Sequence, residues 1–224
     1  MDELGPRDGA GNVKPLGAPI PTKETFMSET KPKTKARFKA GFPSVVEFEV
    51  TREWDDSSDE NLLHYGDQIA ILTCDGTYWQ VNRDEGDKVM ALAKHIKERE
   101  FMEIVAAGDE FVSERNRVVR YNEQVAFRFL ENNSFVGADL NSSNKELSAR
   151  VPVVKEWETF TLLEHPQKKS SKDKKLRYGS WFALRAYNGN HVMFDKINSK
   201  QLLASVPHID EWESFVFIRL PSKK

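Results

Sequence analysis

Apolar and polar residues alternate with a period of two over short runs, and the runs return three times along the chain. In Gln68-Ile69-Ala70-Ile71-Leu72-Thr73, Ile69, Ile71 and Thr73 share one side and Gln68, Ala70 and Leu72 the other. Such alternation, bounded by turn residues, predicts a half-buried strand. Asp75-Gly76 follows, then the aromatic and β-branched run Tyr78-Trp79-Gln80-Val81. Asp-Gly between two β-like runs predicts a tight hairpin. The same grammar recurs. Tyr65-Gly66-Asp67-Gln68-Ile69-Ala70-Ile71, Tyr121-Asn122-Glu123-Gln124-Val125-Ala126-Phe127 and Tyr178-Gly179-Ser180-Trp181-Phe182-Ala183-Leu184 open three segments. Asn132-Asn133 and Asn188-Gly189 stand where Asp75-Gly76 stands in the first. Glu156-Trp157-Glu158-Thr159-Phe160 and Glu211-Trp212-Glu213-Ser214-Phe215 close two of them, and Glu100-Phe101-Met102-Glu103-Ile104 closes the first more loosely.

A fixed period means one supersecondary unit used three times. The repeats span about 65–107, 121–164 and 178–220. The second strands fall at Tyr78–Val81, Phe135–Ala138 and His191–Phe194. Third strands are expected near Val89–Leu92, Glu146–Ala149 and Leu202–Ser205, and fourth strands at Phe101–Ala106, Phe160–Leu163 and Phe215–Arg219. Locally, Asp87–Phe101 also reads as a helix, because Val89, Leu92, Ala93 and Ile96 have helical spacing. Its counterparts contain Pro152 and Pro207, which disfavour a helix, so the repeat argument prevails.

Four strands taken three times predict an all-β chain folded as a single β-trefoil over residues 44–221. Such closure leaves no free sheet edge. Trp157 and Trp212 are the largest residues in the closing phrases and are expected to pack in the core. His191 holds a position occupied by an aromatic in the other repeats, so packing accounts for it. Val45–Val50 reads as a further strand before the repeats.

Residues 1–43 differ. Six of the ten prolines lie there and large apolar residues are sparse. This composition predicts an extended tail. Its second half is basic, with Lys31, Lys33, Lys35, Arg37 and Lys39 interleaved with Phe26, Met27, Phe38 and Phe42. A second basic stretch, Lys168, Lys169, Lys172, Lys174, Lys175 and Arg177, lies between repeats two and three. Polyanionic partners would be drawn to both. These ten residues of tail and loop, Arg177 aside, are the candidate partner-binding set.

Charge and special residues narrow the classes. The net charge is −2 and the pI about 6.3, unlike the strongly basic domain of a dedicated nucleic-acid binder. One cysteine, Cys74, allows no intrachain disulfide and suits a reducing compartment. The amino terminus has no apolar run, and no stretch approaches a membrane span. The expectation is a cytoplasmic or cytoskeletal protein. Asn132-Asn133-Ser134 and Asn141-Ser142-Ser143 fit the glycosylation sequon by chance on this reading. Histidines 64, 95, 165, 191 and 208 show no metal-ligand spacing. There is no P-loop, dinucleotide fingerprint or nucleophile elbow. The chain is expected to be no enzyme and to need no cofactor or metal.

The phrase Ala183-Leu184-Arg185-Ala186-Tyr187-Asn188-Gly189-Asn190-His191-Val192, followed by Trp212-Glu213-Ser214-Phe215, resembles the fascin-like β-trefoil domains. Leu63-His64-Tyr65-Gly66-Asp67 resembles the opening of another trefoil group, that of inositol-trisphosphate-receptor-like domains and some ciliary proteins. Together the resemblances cover residues 60–221. The family implies a non-catalytic cytoskeletal role. Fascins carry four trefoils and this chain one, which favours docking on a filament over crosslinking, on a ciliary microtubule slightly more than on actin. The sugar-binding trefoils mark their repeats with Gln-x-Trp, which is absent here. A soluble phosphoinositide- or sugar-binding trefoil is the alternative of a different class.

Overall fold

The computed structural model describes residues 59–108, 116–166 and 173–220. The expected strand at Val45–Val50 and the tail lie outside them. Twelve strands follow in chain order: β1 Gln68–Thr73, β2 Tyr78–Asn82, β3 Lys88–Ala93, β4 Met102–Ala106, β5 Gln124–Phe129, β6 Ser134–Ala138, β7 Leu147–Val151, β8 Phe160–Glu164, β9 Trp181–Arg185, β10 His191–Phe194, β11 Leu202–Val206 and β12 Phe215–Arg219. Each strand expected within the three repeats is present to within two residues at either end. The stretch 87–101 is strand β3 followed by a short 3-10 turn, so the helical spacing there is coincidental.

Pairing gives the architecture. Strands β1, β4, β5, β8, β9 and β12 pair antiparallel in a closed ring, each with two neighbours. The remaining strands form three hairpins, β2–β3, β6–β7 and β10–β11. Each hairpin carries a register shift at its first pair, at Tyr78/Trp79, Phe135/Val136 and His191/Val192. The same irregularity three times over reflects one repeated backbone, since a bulge sharpens the local twist.

Two rings of backbone hydrogen bonds tie the repeats together. At the hairpin end, Ala91 N–H donates to Lys200 O at 2.9 Å, Ala149 to Asp87 at 2.9 Å and Ala204 to Lys145 at 2.8 Å. The three acceptor residues Asp87, Lys145 and Lys200 share a left-handed backbone, with φ of 58°, 54° and 59°. At the other end, Leu63 donates to Leu176 at 3.0 Å, Leu176 to Val119 at 2.9 Å and Val119 to Leu63 at 2.8 Å. Each ring passes once through every repeat.

The hairpin turns are set by local side-chain chemistry. Asp75, Asn132 and Asn188 each accept the backbone N–H two residues on, at 3.3, 3.1 and 3.0 Å. Gly76 and Gly189 then take φ of +83°, which an Asx turn followed by glycine allows at no steric cost. Asn133 takes the equivalent left-handed position at φ 55°.

The main core cluster is drawn from all three repeats. Trp79, Phe127, Phe129, Phe160, Phe182, Phe194, Phe215 and Phe217 are fully buried in it. Trp79 meets Phe215 edge-on at 5.1 Å, and Phe182 stacks on Phe217 at 3.9 Å. Trp157 and Trp212 do not join them. Both are only half-buried, contrary to the expectation from the closing phrases. The reason is the 3-10 turn that each closing phrase forms, Glu156–Glu158 and Glu211–Glu213. It turns the second glutamate inward in place of the tryptophan. Glu158 is 7% exposed and Glu213 4%.

Candidate interaction surface

The ring of Leu63, Val119 and Leu176 marks one pole of the barrel. Of the basic residues singled out in the sequence, Lys31, Lys33, Lys35, Arg37, Lys39, Lys168, Lys169 and Lys172 lie outside the described residues. Lys174 and Lys175 lie at the pole.

These two are not alike. Lys174 is exposed, and its left-handed backbone (φ 56°) presents its carbonyl to Tyr121 N–H at 3.0 Å. Lys175 is half-buried, with Nζ 3.8 Å from Asp59 Oδ1 and 3.9 Å from Asp173 Oδ2. Its charge is thus already partly answered within the fold. The sequence did not reveal Asp173 as the organiser. Arg177 donates to both Asp173 carboxylate oxygens, at 3.2 and 3.0 Å, and Arg120 Nη1 reaches the Asp173 carbonyl at 3.2 Å. A bidentate arginine fixes direction as well as charge. Arg177, 6% exposed, therefore serves the fold. Around it, Arg117 lies over the Tyr65 ring at 4.7 Å and Arg219 over the Tyr178 ring at 5.1 Å.

Three tyrosines hold the pole from inside. Tyr65 OH donates to Glu123 Oε2 at 2.9 Å, Tyr178 OH to Asp67 Oδ2 at 2.7 Å and Tyr121 OH to the Trp181 carbonyl at 3.0 Å. Each bond runs to the next repeat around the barrel, and the Tyr178–Asp67 bond closes the circle. Burial pushes the Tyr178 phenol well above its ordinary range, and the Asp67 hydrogen bond adds to it. This network had a sequence signature in the repeated Tyr-x-Asp, Tyr-x-Glu and Tyr-x-Ser spacing, but the partner of each tyrosine lies 58, 60 or 111 residues away.

A second feature lies in the second repeat. Val151, Val153, Lys155, Glu156, Trp157 and Glu158 line a cleft of about 350 Å³. Val153 is 50% exposed there. Among the described residues, no group of three or more His, Cys, Asp or Glu side chains is placed to hold a metal ion.

No family model matches the chain, and no curated protein matches it in sequence. Solved structures do match in three dimensions. A Caenorhabditis elegans protein of unknown function superposes with a TM-score of 0.59 at 13% identity, over 73% of this chain and 99% of that one. The SDF2-like protein from Arabidopsis thaliana gives 0.56 at 9% identity, over 73% and 99%. The BEL β-trefoil gives 0.53 at 9% identity, over 71% and 97%. The fold is a β-trefoil. Its six-stranded barrel, three hairpins and threefold hydrogen-bond rings account for the likeness. At these identities the likeness shows the fold alone, and no match carries the fascin-like resemblance beyond the phrases quoted above. No helix among the described residues is long and apolar enough to cross a membrane.

Proposed function

We propose that the chain is a non-catalytic docking protein of the cytoskeleton, a single β-trefoil seated on a filament lattice, with the ciliary microtubule favoured over actin. One observation supports this most. Of the ten candidate basic residues, the two that are described, Lys174 and Lys175, fall together at the pole marked by Leu63, Val119 and Leu176. Lys174 is exposed there. The tail (residues 1–43) and the stretch 167–172 carry the other eight in sequence, and linked basic contacts reinforce one another on a polyanionic surface. The arginines of the described pole are held by Asp173, Glu123 and aromatic rings, which suits a rigid platform. The fascin-like and ciliary resemblances point the same way. One trefoil decorates a filament more readily than it bundles it.

The test is co-pelleting of the full chain with microtubules and with actin filaments, at low and high salt. We expect salt-sensitive pelleting with microtubules. Lys168→Glu with Lys169→Glu and Lys172→Glu, or deletion of residues 1–43, should each reduce it severalfold. Pelleting with actin alone selects the second filament. A chain left in the supernatant with both overturns the proposal and favours a soluble phosphoinositide- or sugar-binding role.

A further inference from the structure

The three repeats match in backbone, core and turns, so a place where one departs from the others is informative. Each repeat sets the same three positions side by side where its hairpin leaves the barrel. In the first, Leu72 of β1 stands between Tyr78 of β2 and Val216 of β12. In the second, Arg128 of β5 stands between Phe135 of β6 and Glu103 of β4. In the third, Arg185 of β9 stands between His191 of β10 and Thr161 of β8. The first two sets satisfy themselves. Leu72 packs against the apolar cluster that holds Tyr78 and Val216. Arg128 pairs with the Glu103 carboxylate and lies over the Phe135 ring at 5.9 Å.

The third set does not. Thr161 stands where Glu103 supplies a carboxylate, and His191 where Phe135 supplies an apolar ring. Arg185 is exposed and makes no ion pair among the described residues. Nδ1 of His191 is buried with no hydrogen-bond partner among them. The loop after β11 brings a second imidazole, His208, near the first. The carboxylate of that loop, Asp210, lies 3.5 Å from His208 Nε2. On the 3-10 turn that follows, Glu213 is buried and accepts the Asp210 N–H at 2.8 Å. His191 therefore faces Arg185 and His208, and no carboxylate pairs with it. A neutral imidazole is tolerated in such a place. An imidazolium donates from both nitrogens, so protonation would bury an N–H without an acceptor beside a guanidinium.

We propose that the third hairpin, β10–β11, is an acid-sensitive element of the trefoil, closed while His191 is neutral and loosened when it is protonated, with β2–β3 and β6–β7 remaining closed. Burial holds the His191 imidazole below its ordinary value, and Arg185 and His208 add to this against the pull of nearby backbone carbonyls. A base lowered in the folded state favours folding when neutral. Its contribution is complete above the unfolded pKa near 6.5 and is lost as pH falls from there through the folded value. Glu213, raised by burial, acts in the opposite sense, so the effect of His191 is read by comparing chains.

The experiment is amide hydrogen exchange of the full chain at about pH 7.5 and about pH 5.5, corrected for the intrinsic effect of pH on exchange, with a nuclear magnetic resonance titration of the His191 ring. In the wild type, protection of His191–Phe194 and Leu202–Val206 should fall about tenfold or more at the lower pH, while Tyr78–Asn82 and Ser134–Ala138 hold. His191→Phe gives the third repeat the ring that Phe135 gives the second and should abolish the fall. Thr161→Glu gives Arg185 the carboxylate that Arg128 has; it should shrink the fall and move the His191 titration upward. Equal loss in all three hairpins, a fall that persists in His191→Phe, a wild-type His191 ring that titrates at its ordinary value or above, or a titration unmoved in Thr161→Glu would each overturn the proposal. Should His191→Phe fail to fold, the wild-type titration and Thr161→Glu decide it.

Discussion

Asn188 shows how much one side chain can carry. Its carbonyl oxygen accepts Asn190 N–H at 3.0 Å, and its amide donates to the Ala204 carbonyl at 3.1 Å, tying the β9–β10 turn to β11. Asn132 does the same with Ser134 and Ala149. It is also the asparagine of a glycosylation sequon, and its amide is committed within the fold. Asp75, the third member, has no amide to donate. It gathers the Thr73 and Thr77 hydroxyls instead, at 2.7 and 2.6 Å. Two substitutions at Asn188 separate its roles. Asn188→Asp loses the donor alone and should cost about 1 kcal/mol; Asn188→Ala loses both bonds and should cost about 2 kcal/mol. In thermal melts of the full chain the second should fall roughly twice as far as the first, at about 2–4 °C per kcal/mol. Equal melting temperatures in the two variants would show that the carbonyl acceptor adds nothing.

At the scale of the element, the 3-10 turn that precedes β4, β8 and β12 is the device most worth perturbing. Each turn places a glutamate so that it accepts a backbone N–H three residues back: Glu100 from Lys97 at 2.6 Å, Glu158 from Lys155 at 3.0 Å and Glu213 from Asp210 at 2.8 Å. Burial raises the pKa of all three carboxyls, and the hydrogen bonds only partly offset it. A group raised in the folded state favours folding when protonated. Its contribution is present below the unfolded pKa near 4.5 and is lost as pH rises through the folded value. At neutral pH these charges therefore oppose folding while their hydrogen bonds support it. Asp75 and Asp195 behave oppositely. Burial acts against their charge, but Thr77 and Thr73 at one and Ser199 and Asn198 at the other hold them below the ordinary carboxylate range. Their contribution is present above the unfolded pKa near 3.8 and is lost as pH falls through the folded value. We expect Glu213→Gln to raise the melting temperature at pH 7, with the gain shrinking toward pH 4. Glu213→Ala leaves the Asp210 N–H without its acceptor and should cost about 1–3 kcal/mol. A gain in Glu213→Gln that does not vary with pH would contradict the assignment.

For the whole molecule, stability rests on the seams between repeats, because one repeat has no closed core of its own. The tyrosine circle crosses all three seams, and its bonds differ in kind. Tyr178 donates to a carboxylate, Asp67, which also accepts His64 N–H at 2.8 Å. Tyr121 donates to a backbone carbonyl. Hydrogen bonds to charged groups are worth about 1.5–3 kcal/mol and neutral ones about 0.5–1.5 kcal/mol. Tyr178→Phe should therefore destabilise the chain about twice as much as Tyr121→Phe in denaturant unfolding, with the slope unchanged in both. The reverse order would mean that the Asp67 carboxylate is well satisfied without the phenol.

The chain by itself determined the strands, their number and the turns between them. Period-two alternation and Asx-Gly chemistry are local, so Gln68–Thr73, Asp75-Gly76 and Asn188-Gly189 could be read without neighbours. It also determined the threefold plan, since a repeated sequence repeats its backbone. What it could not determine was which face of the closing phrases turns inward. At three residues per turn, adjacent side chains of a 3-10 turn point about 120° apart, so Glu-Trp-Glu can turn either its tryptophan or its second glutamate inward. Only closure of the barrel decided it, by aiming Glu158 at the space that Gly137 leaves and Trp157 toward solvent. The same holds for the pole. Lys175 reads as a free cation in sequence and becomes a partner of Asp59 and Asp173 once chain closure brings those carboxylates beside it. Tyr178 and Asp67 stand 111 residues apart and meet at 2.7 Å for that reason.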